Sequence, residues 1–196
     1  MEAQEARDHL RMLDGIVRST DRTLHIHPLI LMTVGLVTTL VTALIQLRQM
    51  GVAIPPDEYV QPPAMLGMLA VIGGVAWRGR RAGRASLVDG YAGAVFLAAF
   101  AVATALNVTA QHRVISPEGM ALVWAGTFSM VLLINGAIGR SVPLFGGGVA
   151  LLAATAAASL VPGWLPGVLS VGWFCGFFVP GLVLALRAPD GRVAAV

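Results

Sequence analysis

Hydrophobic positions along the chain gather into long runs, separated by short polar stretches rich in Arg, Pro and Gly. Six such runs stand out: Pro28–Leu47, Pro63–Trp77, Val88–Val108, Gly119–Ile138, Val142–Val161 and Leu165–Leu186. Crossing the hydrocarbon core, about 30 Å at 1.5 Å per residue, takes roughly 20 apolar residues in a helix. Five runs reach that length. The second is shorter: its charge-free stretch extends from Tyr59 to Trp77, but Pro62 and Pro63 interrupt its beginning, and a short or re-entrant segment is an alternative to a full span. The pattern predicts an all-α, polytopic membrane protein with a six-transmembrane-helix bundle over residues 28–187 and a short tail over residues 188–196.

Residues 1–27 carry a different pattern. Leu10, Leu13, Val17 and Leu24 fall on one stripe, with Thr20 completing a heptad-like spacing, and acidic and basic side chains are mixed over the rest. This predicts an amphipathic cytoplasmic or interfacial helix. Such a helix packs under its own bundle, lies on the membrane surface, or binds a partner helix.

Composition strengthens the membrane reading. The chain of 196 residues is 57% hydrophobic and only 12% charged, against about 25% charged for a soluble domain. The net charge of +3 is too small for the high pI to signal nucleic-acid binding. All 13 basic residues are Arg, and a Lys-free chain rich in Ala, Gly, Val and Arg fits a high-GC bacterial source. The arginines record topology instead. With six spans, eleven of the 13 lie on one side: four in residues 1–27, then Arg78, Arg80, Arg81 and Arg84, then Arg140, Arg187 and Arg192. Arg48 and Arg113 lie on the other. The positive-inside rule then places both termini in the cytoplasm of a bacterial inner membrane.

Chemistry is sparse. Ionisable groups inside a membrane are costly and usually mark function, and the middles of these runs hold none. Asp89, at the cytoplasmic start of the third run, joins Arg78, Arg80, Arg81, Arg84 and Arg140 in a cytoplasmic charge cluster. His25 and His27 precede the first run, while His112 falls in an external loop, so no shared metal set is expected. Cys175 sits in an apolar run with no second cysteine or nearby base. Zinc-protease, nucleophile-elbow and phosphate-loop signatures are absent. The chain is therefore expected to be no enzyme and to need no cofactor or metal.

Neutral polar groups remain. Thr38, Thr42 and Gln46 recur every four residues and share a helix face; with Asn107 and Asn135 they are candidates for a polar pathway or for interhelical hydrogen bonds. Small residues let helices approach closely in lipid. Gly90, Ala94 and Ala98 in the third run, and Gly172 and Gly176 in the sixth, are the packing candidates, within the bundle or between copies. Pro180 predicts a kink in the sixth run. The leading functional expectation is a small transporter, channel or transport-complex subunit for a neutral or apolar solute. The alternative is a non-transporting accessory or regulatory subunit that docks a partner through residues 1–27. The bilayer is the one certain environment, and the spans leave room for a homo-oligomer or a membrane-complex partner.

Overall fold

The computed structural model describes residues 27–81 and 116–187. Within them the chain is all-helical, with no strand. Four helices are long and apolar enough to cross a membrane: Pro28–Gln49, Glu118–Ile138, Val142–Leu160 and Pro162–Arg187. Large apolar side chains at mid-helix, such as Leu40, Leu66, Met130 and Val171, are exposed. Water would penalise that surface and lipid does not, so the chain is an all-α membrane protein. The expected N-terminal helix, the third run with Gly90, Ala94 and Ala98, and the tail lie outside the described residues.

The elements are α1 (Pro28–Gln49), α2 (Asp57–Arg81), α3 (Pro117–Ile138) and α4 (Val142–Leu160). The last span has four parts: a 3₁₀ turn (Pro162–Trp164), α5 (Leu165–Trp173), a π-helical turn (Phe174–Phe178) and α6 (Val179–Arg187). Proline stands at N1 or N2 of α1, α3, α4 and α5, where its missing N–H is no loss and its fixed φ suits the first turn. His27 and Ser116 complete two of these starts. The Leu29 N–H donates to His27 Nδ1 at 3.3 Å, and the Gly119 N–H donates to Ser116 Oγ at 3.1 Å.

α2 differs from its sequence reading at its beginning. The helix starts at Asp57 and runs through Pro62 and Pro63. Those prolines remove two backbone hydrogen bonds, yet fall close enough to the N-terminus for the remaining turns to continue. Its apolar part is Tyr59–Val75, about 25 Å of helix and so short of the full hydrocarbon thickness.

Among the described residues the last span is central, with α1 against one side and α4 against the other. α3 leans on α4, joined to it by the tight Gly139–Arg140 turn, and α2 leans on α1. Glycines mark the crossings. A β-carbon at Gly35 of α1 would collide with the Phe178 backbone, and one at Gly136 of α3 with that of Phe145. One at Gly181 would stand 2.8 Å from Met32 Cγ. The pairs Gly35–Phe178 and Met32–Gly181 run α1 antiparallel to the last span, and the approach of Gly147 to Pro180 and of Ala154 to Gly172 does the same for α4. The core between the elements is apolar: Leu31, Leu132, Leu144, Leu151 and Phe177 are fully enclosed.

Candidate functional site

The polar groups of α1 are the place to look for a pathway, and Thr38, Thr42 and Gln46 each have a definite partner. The Thr38 hydroxyl donates to the Val34 carbonyl at 2.6 Å, and Thr42 donates to Thr38 at 2.8 Å. Both bonds lie within one helix, four residues back, where a hydroxyl in an apolar setting satisfies itself most cheaply. Gln46 reaches outward instead. It is buried, receives the Gly167 N–H on Oε1 at 3.0 Å, and donates from Nε2 to the Gly163 carbonyl at 3.4 Å. Gly167 lies in the first turn of α5, whose own N-cap residue Trp164 makes no side-chain cap. Gln46 therefore caps α5 from a neighbouring helix, meeting one of its orphan amides.

About two turns deeper along α1, Thr39 and Ser170 exchange hydrogen bonds. The Ser170 hydroxyl donates to the Thr39 carbonyl at 3.1 Å, and the Thr39 hydroxyl donates to the Ser170 carbonyl at 3.3 Å. Sequence reasoning overlooked this pair. The one available signal is Ser170 itself, a lone hydroxyl within the apolar α5. Gln46 and the Thr39–Ser170 pair together form a polar clasp between α1 and the last span.

Asn135 lies in α3 near its end, buried, with its side-chain amide donating to the Val131 carbonyl at 2.8 Å. Ser129 bonds back to Ala125 at 2.9 Å in the same way. Asn107, the remaining pathway candidate, lies outside the described residues, as do Asp89 and Arg84 of the charge cluster. Arg78, Arg80 and Arg81 end α2, and Arg140 occupies the α3–α4 turn with a left-handed φ of 46°. That conformation is strained for a residue with a β-carbon.

Gly172 and Gly176 both face α4. A β-carbon at Gly172 would stand 2.5 Å from the Ala154 Cβ, and one at Gly176 2.9 Å from the Leu151 Cβ. Gly176 and Gly147 meet across this interface: a β-carbon at Gly147 would collide with the Gly176 carbonyl oxygen, and the Gly147 oxygen is 3.2 Å from the β-position of Gly176. Pro180 has no N–H to offer the carbonyl four residues back, which in an α-helix would be that of Gly176.

Aromatic rings fill the space beside the clasp. Phe128 of α3 stacks with Trp124 at 5.6 Å and meets Trp173 at 5.7 Å and Phe177 at 6.0 Å edge-on. Trp173 and Phe177 are 5.4 Å apart. The i, i+4 spacing of each pair is visible in the sequence, but not that the two pairs meet. Cys175, in the π turn, is a free thiol with partial exposure. Among the described residues no three His, Cys, Asp or Glu side chains converge to hold a metal ion.

At the start of α1, partial burial lowers the His27 pKa below the ordinary histidine value. Accepting the Leu29 N–H requires an unprotonated Nδ1, and the positive end of the helix dipole disfavours the imidazolium further. Comparison with protein-family models, with curated proteins and with solved structures finds no match.

Proposed function

We propose that this chain is a six-span protein of the bacterial inner membrane, with both termini cytoplasmic, and that it serves as a non-conducting accessory or regulatory subunit. The observation that carries this reading is how the bundle interior is occupied. The aromatic group of Trp124, Phe128, Trp173 and Phe177 is packed ring on ring, and Thr38, Thr42 and Gln46 are all engaged in hydrogen bonds to the bundle itself. A pathway for solute needs polar groups turned toward a cavity; these are turned toward helices. We therefore put the accessory role, the alternative expected from the sequence, first, and keep transport of a neutral or apolar solute as the second reading.

The span count rests on α2 and the Val88–Val108 run joining the four long helices. The orientation rests on the arginine distribution. Partner docking rests on the amphipathic pattern of residues 1–27. No catalytic role is proposed, since no nucleophile and base are paired in the sequence.

Native mass spectrometry of protein gently extracted from its own membranes tests the reading. The expected result is a stoichiometric second polypeptide that is lost when residues 2–24 are deleted. A retained small molecule without a second polypeptide would instead favour transport and overturn the accessory role.

A further inference from the structure

One end of the bundle gathers positive charge. α1 and α4 begin there, and α2, α3 and α6 end there. It holds Arg78, Arg80, Arg81, Arg140 and Arg187. The acids among the described residues, Asp57, Glu58 and Glu118, all lie at the opposite end.

Register places two of these arginines at one level. Gly147 of α4 lies against Gly176 and Pro180 of the last span. Five residues back from Gly147 is Val142, and five residues on from Pro180 is Ala185; Arg140 and Arg187 each stand two residues further out. α4 and α6 pack on each other directly. Both arginines are exposed, Arg140 in the turn that feeds α4 and Arg187 in the last turn of α6.

The first turn of α4 begins at this level. α4 is 19 residues long, has no acidic residue in its first turn, and receives no side-chain cap. Its N-cap residue, Ser141, is only 8% exposed, and its hydroxyl has no hydrogen-bond partner. A buried hydroxyl left unpaired calls for an explanation. An anion at this terminus would meet the helix dipole, orphan amides and two guanidinium groups together. The bilayer supplies such an anion at this depth.

We propose that Arg140, Arg187 and the first turn of α4 bind the phosphate of an anionic phospholipid. The ligand is the headgroup of a lipid seated beside the α3–α4 turn. The guanidinium forks hold its oxygens, and the unpartnered Ser141 hydroxyl donates to it.

The test uses the full chain in nanodiscs of phosphatidylglycerol or of phosphatidylcholine with the same acyl chains, reading lipid retention by native mass spectrometry and unfolding temperature. The wild type is expected to retain phosphatidylglycerol and to unfold at a higher temperature in it. Arg140→Gly removes the charge while relieving the left-handed backbone, so this variant keeps its fold. It and Arg187→Gln should each bind phosphatidylglycerol roughly fivefold more weakly. Equal retention of the two lipids by the wild type would overturn the proposal, as would an undiminished preference in Arg140→Gly. Inorganic phosphate alone, added to delipidated protein, distinguishes the other source: if it reproduces the stabilisation and displaces the lipid, the site is one for free phosphate and the lipid assignment fails.

Discussion

Gln46 shows how much one side chain does when water is absent. Its two hydrogen bonds hold the turn before α5 and the first turn of that helix. Gln46→Leu keeps the volume but strands the Gly167 N–H and the Gly163 carbonyl. The expected loss is about 1 kcal/mol, in the range of interhelical hydrogen bonds in membranes, measured as a shift in detergent-induced unfolding. Glycines give a sharper contrast. A β-carbon at Gly147 would strike the Gly176 oxygen and stand 2.6 Å from Pro180 Cγ. Gly147→Ala should therefore cost about 1–3 kcal/mol through overpacking. At Gly67 nothing lies within 4 Å of the added carbon, so Gly67→Ala in the interior of α2 should stabilise by about 0.5–1 kcal/mol. The same unfolding assay separates the two. His27 adds a pH dependence. Its folded pKa is lowered, so its contribution is complete above the ordinary value near about 6.5 and falls away as pH drops below it. His27→Asn caps α1 without titrating. The wild type should lose stability between neutral and mildly acidic pH, and the difference from this variant, followed by unfolding midpoint against pH, should vanish above neutrality.

At the scale of elements, the apolar runs were readable because lipid imposes one rule over 20 residues at a time. The starts of α1, α3 and α4 follow from Pro28, Pro117 and Pro143, whose chemistry is local. Partner choice was not readable. Thr38 and Thr39 are adjacent and chemically identical, yet one bonds its own helix and the other reaches Ser170, 131 residues away. Gly35 and Gly181 are no more conspicuous in the sequence than Gly67, but two sit at crossings and one faces open space. That distinction comes from which faces meet, and no periodicity carries it. The π turn was equally hidden: Pro180 signals a disturbance in the last span, though not that the helix widens over Phe174–Phe178 before reaching it.

At the scale of the whole molecule, the described residues form a central span held on both sides, with α2 and α3 outside it. Topology is the prediction that belongs here. Reporter fusions should be active on the cytoplasmic side at residue 82 and on the periplasmic side at residue 57. An exported signal at residue 82 would remove α2 as a crossing and overturn the six-span arrangement. The π turn matters on this scale as well. A π turn amounts to one residue more than a regular α-helix needs, and each residue of an α-helix turns the chain by about 100°. Phe174–Phe178 thus acts as a phase shifter: it decides which direction the final two turns present to the rest of the protein. Without the extra residue, Pro180 and Gly181 would rotate away from Gly147 and Met32, and bulkier neighbours would be driven into both contacts at once. Deleting Cys175 should therefore loosen α1 and α4 together, a defect that crosslinking between residues 32 and 181, and between 147 and 180, would record as two simultaneous losses.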